Sequence, residues 1–198
     1  MTLKDCIVCA AESLNLDAVA ESLKNDTSPE MLSDSDAREL EQLLSCARSA
    51  VNEVACEYAH LLTSENVQAD TNGRIPFTAL SKPIVEIVTV HSGRKSIPFR
   101  CYCDGIAPTP DAERRFAEGA EYGVTYAYIP SASELSDEID FGNGKINPRT
   151  VGYGIAAEYY IRSGEASEAV LWDARYKDAM VAAAKRRREQ RVKPRRWL

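Results

Sequence analysis

Two histidines, six cysteines and thirty carboxylates are the groups in this 198-residue chain best suited to chemistry, and their spacing argues against most of it. Cys6 and Cys9 stand three apart in a helix-like stretch, Cys46 and Cys56 fall in a second one, and Cys101 and Cys103 alternate along a strand-like one. A structural zinc site wants tight cysteine pairs converging with histidines or further cysteines. Neither His60 nor His91 sits at ligand spacing from a cysteine, so the expectation is reduced, mostly buried thiols and no metal. A nucleophilic Cys6 or Cys46 would need a histidine base that only folding could bring near. Gly142-Asn143-Gly144-Lys145-Ile146 looks like a phosphate loop, but Ile139 stands where a glycine is needed and Ile146 where Ser or Thr is needed. Asp137-Glu138-Ile139-Asp140 lacks the alternating oxygen ligands of a calcium loop. There is no Gly-x-Ser-x-Gly elbow and no HExxH. The sequence reads as a protein that is not an enzyme and needs no cofactor.

Charge carries more information. Residues 185–198 hold eight Lys or Arg and one Glu, a net +7, whereas residues 1–70 hold fourteen acids and four bases, a net −10. Ends of opposite sign favour contact between copies or with another chain. The basic tail has three readings: a solvated helix end, a phosphate-neutralising strip on nucleic acid, or an arm that docks on a protein. Trp197, an aromatic anchor among arginines, favours the third. The candidate partner-binding residues are therefore Arg186, Arg187, Arg188, Arg191, Lys193, Arg195, Arg196, Trp197 and Leu198. Uncharged stretches fall well short of the ~20 residues of a membrane span, and acids come too early at the N-terminus for a secretory signal. These features point to synthesis in the cytoplasm and no membrane partner.

The elements that would position these groups follow from periodicity. Helices are expected over 3–14 and 16–24, then a break at Asn25-Asp26-Thr27-Ser28-Pro29. A long amphipathic helix over 36–63 is marked by Asp36 as cap, Glu39 three residues on, and one apolar stripe from Leu40 to Leu62. Ile84 to Val90 is β-branched, Ser92-Gly93 is a tight turn, and Ile97, Phe99, Cys101 and Cys103 share one strand face. Tyr122, Val124, Tyr126 and Tyr128 share a face of a third strand. Asn147-Pro148 caps a helix ending at Ser163-Gly164, and a last helix carries Ala169, Trp172, Tyr176, Ala179 and Ala183 at helical spacing. The expected fold is α+β: a bundle of N- and C-terminal helices with a small inserted antiparallel sheet. Its parts are a helical segment 1–66, a β-rich lobe 67–131, a connecting loop 132–147, and helices plus a basic arm over 148–198. With only three short strands, the lobe is expected to bury little alone and to lean on a neighbouring copy.

Tyr153-Gly154-Ile155-Ala156-Ala157-Glu158-Tyr159-Tyr160, Gly164-Glu165-Ala166-Ser167-Glu168-Ala169, Trp172, Arg175-Tyr176 and Arg195-Arg196-Trp197 together resemble the head-to-tail connector, or adaptor, proteins of tailed bacteriophages. The resemblance covers the architecture of most of the chain, but its residues fall mainly in 148–198. It implies a structural protein of the virion neck, made in the host cytoplasm and assembled as a dodecameric ring. That ring would sit below the portal protein, bridge it to a downstream neck or tail protein, and line the channel through which DNA passes without sequence recognition. It also implies that the C-terminal arm docks on the portal. Two alternatives stand beside it: another virion neck or tail-completion component, and a nucleic-acid-binding protein acting through the basic tail.

Overall fold

The computed structural model describes residues 1–25, 32–109, 116–142 and 144–184. The fold is α+β, with one core among the helices and a second in the β-lobe. Helix α1 (Leu3–Ser13) starts at a capping box: the Asp5 amide donates to Thr2 Oγ1 at 3.1 Å, and the Thr2 amide donates to Asp5 Oδ2 at 2.9 Å. Its Leu3, Cys6, Ile7, Ala10 and Ala11 form one buried stripe at helical spacing. Helix α2 (Asp17–Lys24) buries Val19, Ala20 and Leu23.

Helix α3 (Asp34–Glu53) differs from the sequence expectation at both ends. Ser33 is the N-cap, its Oγ accepting from the Asp36 amide at 3.2 Å, so the helix begins two residues before Asp36. At its other end a π-turn, Val54–Tyr58, closes the helix, and the stripe does not continue to Thr63. Leu61–Gln68 is instead strand β1, with Leu62 57% exposed. Strand pairing overrides the helical period here: from Leu61↔Tyr128 to Gln68↔Glu121, each residue finds a partner on a strand far along the chain. The division drawn between 66 and 67 therefore falls inside β1.

The lobe holds two antiparallel sheets rather than one of three strands. Strands β1, β3 (Ile84–Ser92), β4 (Lys95–Ser96) and β7 (Glu121–Tyr128) pair in the order β1-β7-β3-β4. Strands β2 (Ile75–Pro76), β5 (Phe99–Cys101) and β6 (Gly105–Pro108) pair as β2-β6-β5. The turn at Gly93 is as expected, with its φ of 57°. Val67, Ile75, Ile87, Val90, Ile106, Phe116, Tyr122, Val124 and Tyr126 bury one another, a fuller core than three short strands would give. Cys101 and Cys103 do not join it: both are exposed, Cys101 at the end of edge strand β5 and Cys103 in the turn beyond it.

Chain 129–147 returns to the bundle and is stitched to it. The Leu3 amide donates to the Asp137 carbonyl at 2.9 Å, and the Arg48 guanidinium donates to the carbonyls of Ala132 and Ser133 at 3.1 and 3.0 Å. Helix α4 (Pro148–Ser163) starts at Asn147 and stops at Gly164, whose φ of 79° makes the left-handed cap. Helix α5 (Ala166–Ala184) packs back along α4. In the bundle, Leu43, Val51, Val54 and Tyr176 are buried. Leu44, Tyr58, Tyr159 and Trp172 are half-buried against the same core.

Candidate partner-binding site

Arg186, Arg187, Arg188, Arg191, Lys193, Arg195, Arg196, Trp197 and Leu198 all lie outside the described residues. What the structure supplies is the α4–α5 hairpin that precedes them in the sequence. The residues of α4 explain why two helices fit so closely there. A Cβ added at Gly154 would lie 3.0 Å from the Tyr176 ring, and one at Gly152 would lie 3.1 Å from Cys9 Cβ on α1. These two glycines let α1 and α5 approach α4 on nearly opposite faces. Tyr153 meets Trp172 at 5.7 Å between ring centroids, Arg175 lies over the Trp172 ring at 4.7 Å, and Tyr159 donates to Glu39 on α3 at 2.6 Å. That hydrogen bond, after burial, pushes the Tyr159 phenol up to about 12.

The hairpin is half covered. Ala169, Tyr176, Met180 and Ala183 face α4 and the core, while Val170 is 70% and Val181 52% exposed on the opposite side. At the elbow, Ile161, Gly164, Ala166, Ala169, Val170 and Asp173 line an open cleft of about 300 Å³. Of these, Ile161 is 58% exposed. Glu165 and Glu168 are exposed at the same end. The one arginine near the elbow is turned elsewhere: Arg162 donates to Ser45 and Ser49 on α3 at 2.7 and 3.2 Å. The cleft is apolar apart from Asp173, which accepts from Lys177 at 2.7 Å.

No family model matches the chain, and no curated protein matches it either.

The groups with chemical potential are otherwise engaged. Burial pushes the Cys6 thiol up to about 12 and Cys46 up to about 11, so neither is a ready nucleophile. His60 is exposed beyond the π-turn, and the His91 ring packs across Gly123, where an added Cβ would sit 2.3 Å from Nε2. Glu65 accepts from the Ser81 amide at 3.0 Å, from the Ser81 hydroxyl, and from the Tyr126 hydroxyl at 2.6 Å. Those bonds hold its carboxyl below the usual range and tie loop 80–83 to the sheet. Asp137, of the calcium-loop lookalike, accepts from the Ser133 and Glu134 amides at 2.7 and 3.0 Å and so holds its own loop. Among the described residues, no group of three or more His, Cys, Asp or Glu could hold a metal ion. No described helix is long and apolar enough to cross a membrane.

A larger cleft of about 650 Å³ lies between bundle and lobe, lined among others by Arg48, Asn52, Lys82, Tyr128 and Glu138. Lys82 lies over the Tyr128 ring at 3.8 Å, and Tyr128 is half-buried against both cores. Sequence reading missed both clefts. Val170 and Val181 are eleven apart on α5 and off the Tyr176 stripe, but that spacing marks a cleft only once the stripe is known to be covered.

Proposed function

We propose that this protein is a structural adaptor of a tailed-bacteriophage neck, working as a ring of copies below the portal, around the DNA exit channel. Its C-terminal arm is the portal-docking element. One observation carries the reading: the residues that resemble connector proteins are those that build the α4–α5 hairpin. Gly154 seats Tyr176, Trp172 stacks with Tyr153, and Gly164 turns the elbow. They present an arm of net charge +7 immediately after Ala184. A ring needs contacts between different faces of one chain, and a −10 segment facing a +7 segment provides for them. The chemistry in this proposal is assembly rather than catalysis.

Deleting residues 194–198 tests it. The truncated protein is expected to keep its circular dichroism and melting profile but to be missing from purified particles. Truncated protein that still joins infectious particles would sink the proposal. Tight, salt-sensitive DNA binding by a small oligomer would shift the reading to a nucleic-acid-binding protein.

A further inference from the structure

A sheet edge that is to stay unpaired is blunted by shortness, proline, lysine or a bulge. Among the described residues, three of the four sheet edges of the lobe are blunted in this way. Strand β4 is two residues long and carries Lys95, beside a β3 whose register shifts twice. Strand β2 is two residues ending in Pro76, and β5 is three residues with Arg100 at its centre. Strand β1 has none of these devices. Its eight residues, Leu61–Gln68, keep register with β7 without a shift and include no proline, glycine, lysine or arginine. Its one charge, Glu65, is turned to the core side and engaged by Ser81 and Tyr126.

The free side of β1 is backbone. Among the described residues, β7 is the only strand paired with β1, and no other backbone group bonds to the backbone of residues 61–68. Alternate residues of an antiparallel edge strand aim their N–H and C=O away from the partner strand. β1 therefore carries a row of donors and acceptors whose complement is another extended chain. Beside that row Leu62 is 57% exposed, and Ser64, Asn66 and Gln68 are exposed on the same face.

The edge is complementary to itself. A two-fold axis at Ser64 sets β1 antiparallel to β1 of a second copy and keeps each face of the sheet on its own side. Ser64 then meets Ser64, Leu62 meets Asn66, Thr63 meets Glu65, and the buried Leu61 meets Val67. No like charges come opposite, and apolar side chains pair on the core face. An axis one residue on, at Glu65, would set two carboxylates face to face. We propose that β1 is a dimerisation edge, joining the four-stranded sheets of two copies into one continuous sheet with its two-fold axis at Ser64. This contact is separate from the ring contacts of the adaptor reading, which join different faces of the chain, so either can fail alone.

The test uses the full chain with the exposed Cys101 and Cys103 replaced by serine. A cysteine at position 64 faces its own copy at ~4.5–5.5 Å between Cβ atoms, so Ser64→Cys is expected to give a covalent dimer under mild oxidation. Asn66→Cys alone is expected not to, because its own copy lies four residues, ~13 Å, along the strand. Mixed with Leu62→Cys, it is expected to cross-link. By light scattering the parent chain is expected to be a dimer that dissociates on dilution. Ser64→Lys and Ser64→Glu, at an exposed site, should each weaken the dimer about two- to fivefold, and an equal mixture of the two should recover it. Circular dichroism should be the same for all of them. A parent chain that stays monomeric at every soluble concentration overturns the proposal. So does a dimer indifferent to both charges at position 64, or an Asn66→Cys chain that links to itself as readily as Ser64→Cys.

Discussion

Replacing Tyr176 by phenylalanine should make the protein more stable. Tyr176 is 1% exposed, its ring lies against Gly154, and it meets the Tyr58 ring edge-on at 6.0 Å. Its hydroxyl has no hydrogen-bond partner among the described residues. Burial first, and then the negative charge of Glu53, raise its pKa far above the ordinary tyrosine value, so the group stays neutral at any working pH. A buried hydroxyl without a partner costs about 1–3 kcal/mol in desolvation, whereas phenylalanine keeps the ring contacts and removes that cost. For a chain of this size each kcal/mol moves the melting temperature by about 2–4 °C, so Tyr176→Phe should melt about 2–12 °C higher. Differential scanning calorimetry at pH 7, with urea unfolding to check that m is unchanged, reads it directly. A variant that melts lower than wild type would mean the hydroxyl is satisfied, and the reasoning would be wrong.

Three further outcomes follow from the packing and the titrating groups. Gly154→Ala should destabilise by up to about 2 kcal/mol in urea melts, because overpacking the Tyr176 ring outweighs the ~1 kcal/mol that alanine gains in a helix interior. Glu65 has a lowered folded-state pKa, from its bonds to Ser81 first and then Tyr126. Its contribution is therefore complete above the unfolded value of 4.5 and is lost as pH falls through the folded one. Stability measured from pH 6 down to 3 should drop more steeply in wild type than in Glu65→Gln. Iodoacetamide at pH 8 should label the exposed Cys101 and Cys103 in the folded protein and reach Cys6 and Cys46 only on unfolding, as peptide mass mapping would show.

The C-terminal helices were legible almost residue by residue, because Asn147-Pro148 and Gly164 are local signals that fix a helix at both ends whatever surrounds it. The end of α3 was not legible. Leu61 and Leu62 continue the apolar stripe, and only pairing with Tyr128 and Ala127, more than sixty residues away, turns them into strand. The second sheet escaped for the same reason, since β2 has just two residues and exists only through β6. Gly105 marks that contact, because an added Cβ would stand 2.5 Å from the Ile75 carbonyl oxygen, but close approach of two backbones leaves no period in a sequence. For the candidate site, composition pointed to the arm and its partner chemistry. The elbow could not be read, because an exposed valine means little until the opposite face of its helix is known to be covered.

Helix α4 touches α1, α3 and α5, and it is made after most of what it covers. At ~5–20 residues per second, a ribosome finishes α1 roughly 7–27 s before α4 begins. Through that interval Cys6, Ala10 and their neighbours lack the surface that Gly152 will bring. The lobe, whose central strand β7 ends at Tyr128, can close earlier. The nascent chain should thus carry a finished β-lobe above an open helical base. The step that commits it is the arrival of a helix with glycines where its two neighbours must touch it, and a substitution there would act on yield during synthesis before it acted on the melting of the finished protein.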